Sequence, residues 1–133
     1  MANKIKVSFE IEDSYNIQGF RNFLKYVQSD DKFELYIISN DDDSALITKV
    51  GQNLGLDPSK VIICNFTQDK IQAIIDNNIN IHLDNLQSTI MLVQETTSAY
   101  GILVTKNLNK YYLEPDYVIV FNRVVEEIES NAP

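Results

Sequence analysis

The sequence predicts an α/β protein built around a doubly wound, mainly parallel sheet of five or six strands, with helices on both faces. Three observations carry this. Short apolar runs alternate with stretches of helical period along the whole 133-residue chain. Capping and turn residues such as Ser39-Asn40-Asp41, Gly55, Asp57-Pro58 and Asn77-Asn78 punctuate that alternation. No internal repeat, low-complexity tract or linker interrupts it, so residues 1–133 read as one domain.

The first strand is Ile5 to Phe9, a short apolar run that ends in two acids, Glu10 and Glu12. A helix follows over Ile17 to Gln28, with Ile17, Phe20, Leu24 and Val27 on one face. Phe33 to Ile38 is the second strand. Ser39 to Ser44 then supplies N-cap residues and first-turn acids for a helix that runs to Leu54 and buries Leu46, Ile47, Val50 and Leu54. Gly55 suits the C-terminal cap of that helix, and Asp57-Pro58 opens a short turn. Val61 to Cys64 is the third strand. Thr67 caps a third helix carrying Ile71, Ile74 and Ile75, which ends at Asn77-Asn78. Ile79 to Leu83 is the fourth strand, and Leu86 to Glu95 the fourth helix. Gly101 to Val104 is the fifth strand. Tyr111 to Pro115 is a polar-aromatic connection, and Tyr117 to Val120 a short last strand. Phe121, Val124, Val125 and Ile128 mark a closing helix. The outcome is a three-layer, Rossmann-like arrangement with right-handed crossovers and a site at the carboxyl edge of its sheet.

Composition bounds the function. Eleven basic against nineteen acidic residues give a formal charge of −8. That excludes sequence-independent nucleic-acid binding, which needs a basic face. Hydrophobic residues at 44% and charged residues at 23% are ordinary for a soluble globular chain. Cys64 is the single cysteine, so no internal disulfide forms and a reducing compartment is expected. The chain starts without a signal peptide and has no apolar run of membrane-spanning length. A cytoplasmic location follows, or a virion-associated one if the abundance of Asn, Ile and Lys reflects an AT-rich phage genome.

Polar groups gather where strands end. The first strand offers Glu10, Glu12 and Ser14, and the second Ser39-Asn40. The third helix opens with Thr67 and Lys70, and the fourth strand closes with His82-Leu83-Asp84-Asn85. Carboxylates, a hydroxyl at a helix N-terminus and one lysine suit a hard divalent cation together with a phosphate. Each residue also has a plainer role. Asp41 to Asp43 reads as a solvated cap, Lys70 as a helix surface residue, and His82 as a packed strand-end residue without metal-ligand company. Cys64 reads as inert packing, and Tyr111, Tyr112 and Tyr117 as core and edge packing.

The order of these parts resembles the haloacid dehalogenase superfamily of phosphohydrolases, the capless kind. In that family the first strand ends in hydrophobic-Asp-x-Asp-x-Thr; here stands Phe9-Glu10-Ile11-Glu12-Asp13-Ser14. The family's second strand ends in Ser or Thr, matched by Ser39-Asn40. Its lysine is matched by Lys70, and its terminal acidic pair by Asp84-Asn85. The resemblance spans residues 4–104. It implies Glu10 as a nucleophile forming an acyl phosphate, and Glu12 as acid/base. It implies Ser39, Asn40 and Lys70 as phosphate ligands, and Mg2+ held by Glu10, the Ile11 carbonyl, Asp84 and Asn85.

The departures bear on activity. Both first-motif aspartates are glutamates, and the second acid of the last pair is Asn85. A glutamate displaces its carboxylate by about 1 Å, less than one C–C bond of about 1.5 Å. Misplacement of about 1 Å costs on the order of a hundredfold in rate. The segment after Ser14 is also too short for the flap that family members close over substrate. The expectation is a degenerate, catalytically impaired relative used as a binding or structural module, for instance a phage assembly component. Its partner would be a protein or a small phosphorylated molecule, with no membrane contact and with oligomerisation open. The alternative is an active Mg2+-dependent phosphomonoesterase. A receiver-like or flavodoxin-like signalling domain ranks below both, since a receiver's acceptor aspartate is replaced by Cys64-Asn65 at the third strand's end.

Overall fold

The computed structural model describes residues 3–11, 14, 19–105, 108–109, 111 and 114–131. Its main sheet has five parallel strands: β1 (Ile5–Phe9), β2 (Phe33–Ser39), β3 (Val61–Ile63), β4 (Ile81–Asp84) and β5 (Tyr100–Leu103). They lie in the order β3-β2-β1-β4-β5. The order reverses at β1, so the crevice beyond its carboxyl end is the switch point where such sheets place their sites.

Among the described residues five helices pack with the strands: α1 (Phe20–Ser29), α2 (Ser44–Asn53), α3 (Thr67–Asp76), α4 (Gln87–Thr96) and, after the last strand, α5 (Asp116–Ser130). Period-2 alternation in the strands divides the core into two layers. Val7, Phe9, Leu35, Ile37, Ile81 and Leu83 face α1, α2 and α5. Tyr36 and Ile38 face the other way, toward α3 and α4, where Ile71, Ile74 and Val93 meet them. The first layer is locked by aromatic rings. Phe23 packs edge-on against Phe121 at 4.9 Å and against Tyr117 at 5.5 Å.

Turn chemistry follows local need. Gly55 after α2 has φ +69°, and Asn78 after α3 has φ 54°, both left-handed positions at helix ends. Asp43 caps α2 by accepting from the Leu46 amide at 3.0 Å. Asp57 accepts from the Ser59 amide and opens a 3₁₀ turn, Pro58–Lys60.

Several expectations need correction. The run from Tyr117 to Val120 is not a strand but the first turn of α5. Its β-branched residues favour a strand locally, yet only Tyr117 is buried there, and Phe121, Val124 and Val125 continue the same stripe. Tertiary burial on a helical face overrides local propensity. The end of the polar-aromatic connection instead forms a two-residue strand, β7 (Glu114–Pro115), paired antiparallel with β6 (Leu108–Asn109), which lies just before that connection. Leu46 is exposed rather than buried, because the core stripe of α2 passes through Ile47 and Val50; on α3, Ile71 and Ile74 are buried with Lys70 and Ala73, while Ile75 is exposed. Thr67 is the first residue of α3 rather than its cap; Asp69 accepts from the Phe66 amide at 3.1 Å. Ile17 lies outside the described residues.

Candidate functional site at the carboxyl edge of the sheet

Three adjacent strands end at one place. Glu10 follows β1, Ser39 ends β2 and Asp84 ends β4. The Glu10 amide donates to the Leu83 carbonyl at 2.9 Å, so the first and fourth strand tips are stitched side by side. Ser8 and Glu10 share one face of their strand, and His82 and Asp84 share one face of theirs, because side chains alternate with period 2. Ser8 pairs in register with His82. Lys70 reaches this face from α3, one helical turn before Ile74 on the buried stripe.

The Lys70 ammonium stands between two carboxylates, 2.5 Å from Glu10 Oε1 and 3.0 Å from Asp84 Oδ2. All three side chains are at most 2% exposed. Glu10 takes further donors. Its Oε1 accepts from the Asn40 amide at 3.0 Å, and its Oε2 accepts from the Ile11 amide at 2.7 Å and from the Ser39 hydroxyl. At least four donors thus converge on the two oxygens of a group that can only accept. Ser39 Oγ in turn accepts from the Asp41 amide at 3.2 Å.

Asp84 is gripped on both oxygens. Oδ1 accepts from the Leu86 amide at 3.0 Å, while Oδ2 meets Lys70 and His82 Nε2, the latter at 3.1 Å. A carboxylate only accepts, so His82 Nε2 carries its proton toward Asp84. Nδ1 faces the Ser8 hydroxyl at 2.7 Å. Burial works to raise the Asp84 carboxyl, but the His82 bond and then Lys70 outweigh it and hold it below the usual carboxylate range. Burial likewise works against the Lys70 ammonium; the Asp84 and Glu10 carboxylates reverse this and hold it above its ordinary value.

The predicted residues thus divide. Glu10, Ser39, Lys70, Asp84 and the Asn40 and Ile11 amides converge in one hydrogen-bonded cluster. Asn85 is half-buried beside it. Glu12 and Tyr112 lie outside the described residues. Ser14 is buried, and its hydroxyl has no hydrogen-bond partner among the described residues. Two plainer readings give way: Lys70 is no surface residue, and His82 is bonded into the cluster rather than merely packed. His82 and Ser8 were not singled out as site residues, though the i, i+2 spacings Ser8-x-Glu10 and His82-x-Asp84 on neighbouring strands place them beneath the acids. Cys64 is buried, and burial, ahead of the Asp69 charge, pushes its thiol up, as for inert packing. Tyr117 is core, while Tyr111 is exposed.

Magnesium needs near-octahedral oxygen ligands at about 2.0–2.1 Å. In this arrangement the oxygens it would use already hold an ammonium and backbone amides, so the donor set does not fit the ion. Among the described residues no group of three or more His, Cys, Asp and Glu side chains is arranged to hold a metal.

No family model, curated protein or solved structure matches this chain.

Proposed function

We propose that the protein is a degenerate haloacid-dehalogenase-like domain that no longer turns over phosphate esters and serves as a binding or structural module. The observation that carries the reading is the occupancy of Glu10. The Ser39 hydroxyl, the Asn40 amide and the Lys70 ammonium are the donors a transferring phosphoryl group would need. Each already donates to the Glu10 carboxylate. An acid held by four donors is a poor nucleophile, since its lone pairs are engaged and its charge is neutralised by Lys70. It is also buried, so a phosphate would have to displace an internal ion pair to approach it.

The test is an aryl phosphate assay with magnesium. Wild type is expected to show no hydrolysis above Glu10→Gln. Turnover that vanishes in Glu10→Gln but persists in Glu95→Gln, an exposed control, would overturn the proposal in favour of a live phosphomonoesterase. The module reading further expects a surface covered by a partner protein or by a second copy. A strict monomer at every concentration, with nothing co-purifying, counts against it.

A further inference from the structure

We propose that the Lys70 ammonium is the permanent cation of this carboxyl edge, doing there the charge-bridging work of a divalent metal, so that the edge is metal-independent by construction. The inference deepens the reading of a silent domain and rests on it only for the comparison with a metal-using relative. Its own basis is geometric. One ammonium bridges Glu10 Oε1 and Asp84 Oδ2 at 2.5 and 3.0 Å, and no side chain of the three is more than 2% exposed. The bridge joins the tips of β1 and β4 to the first turn of α3, as a cation shared by two carboxylates would.

The remaining oxygens are closed from behind. Glu10 Oε2 is held by the Ile11 amide and the Ser39 hydroxyl, and Asp84 Oδ1 by the Leu86 amide. A metal entering here would have to expel the ammonium into a buried, non-aqueous surrounding and strip these donors as well. Lys70 reaches inward because position 70 falls on the apolar stripe with Ile74, and its stem is covered there. Take away its charge and two acids are left facing one gap, which is the situation in which a divalent ion binds.

The experiment uses Mn2+ as a paramagnetic stand-in for Mg2+ with isotopically labelled full-length protein. The wild-type amides of Ile11, Asn40 and Leu86 should broaden no more than those of residues remote from the edge. Lys70→Gln should gain selective broadening of the same three amides. If Lys70→Gln does not fold alone, Mn2+ should restore its folded fraction, while wild-type melting is unchanged by Mn2+ or by a chelator. Selective broadening of these amides in wild type overturns the proposal. So does a folded Lys70→Gln that takes no metal, or an unfolded one that Mn2+ does not rescue. Phosphatase turnover in magnesium would sink the silent-domain reading; Mn2+ at Ile11 and Leu86 without turnover would sink this inference alone.

Discussion

Replacing Lys70 by methionine is the sharpest perturbation of the cluster. Methionine keeps an unbranched apolar stem one atom shorter and loses the charge, so packing changes little beside the electrostatic loss. Glu10 and Asp84 lose contacts of 2.5 and 3.0 Å while remaining 1% exposed. Removing one partner of a buried pair costs about 3–5 kcal/mol, because the other charge stays desolvated. Here two acids are stranded, so the upper end of that range applies. Domains of this kind hold only about 5–15 kcal/mol in all. At about 4 °C per kcal/mol, melting should fall by roughly 20 °C. Urea unfolding monitored by circular dichroism would measure the loss.

The variant should also respond differently to acid. Asp84 loses the Lys70 ammonium, one of the groups that hold its carboxyl low against burial, so its folded form takes up a proton more readily than in wild type. The deficit in stability against wild type then narrows as pH falls. A loss below about 1 kcal/mol, the size of an exposed ion pair, would refute the claim that Lys70 is a buried bridging cation. A loss with no recovery in acid would refute the stranding of Glu10 and Asp84.

In wild type Asp84 has a lowered folded pKa, so its contribution is present above its unfolded value of about 3.9 and is lost as pH falls through the folded value. Lys70 has a raised one, so its contribution is complete below its unfolded value of about 10.4 and is lost as pH rises beyond that through the folded value. Melting temperature against pH should therefore show a plateau between these limits and a fall on either side. A slope through neutral pH that survives in Asp84→Asn would count against this assignment. Elsewhere, Gly51→Ala should destabilise. A Cβ at Gly51 would lie 2.7 Å from Val61 Cγ2 and 3.6 Å from Ile37 Cδ1. Overpacking of about 1–3 kcal/mol outweighs a gain of about 1 kcal/mol in helix propensity. Adding Val61→Ala should relieve the clash, and a Gly51→Ala chain as stable as wild type would contradict the close approach of α2 and β3.

What could be read in advance, and what could not, follows from the range of the forces involved. Strand and helix positions were legible because burial imposes its period on adjacent letters: Ile5–Phe9 was expected within its observed bounds, and Phe33 to Ile38 within one residue. The α5 start is not legible locally, because Tyr117 to Val120 is short, β-branched and apolar, whereas the helix that forms there packs Tyr117 against Phe20 and Phe23, nearly a hundred residues away in sequence. The convergence of Glu10, Ser39, Lys70 and Asp84 was legible once each was assigned to the carboxyl end of a strand or the head of a helix. Their mutual saturation was not. It depends on side-chain reach across 29 and 60 residues of sequence, and letters carry no distances. His82 was passed over because a lone histidine lacks metal company, whereas its partners are a serine on β1 and the aspartate two residues on.

The glutamate at position 10 and the closed state of the edge are one physical fact. Its carboxylate meets the Asn40 amide at 3.0 Å, the Ile11 amide at 2.7 Å and the Lys70 ammonium at 2.5 Å, with the Ser39 hydroxyl besides. An aspartate on the same backbone ends about 1 Å nearer the chain, less than one C–C bond of about 1.5 Å. Hydrogen bonds stretched to about 3.6 Å are no longer bonds, so a shorter acid could not hold donors from β1, β2 and α3 together. Those donors would then face an incoming oxyanion instead of an internal one. The longer side chain therefore supplies the anion that the surrounding donors require, and it ties three elements at the switch point of the sheet. Lys70 completes the arrangement by joining that anion to Asp84 on β4. The engagement of the donors around Glu10 and the cross-linking of β1, β2, β4 and α3 at this edge then have the same cause.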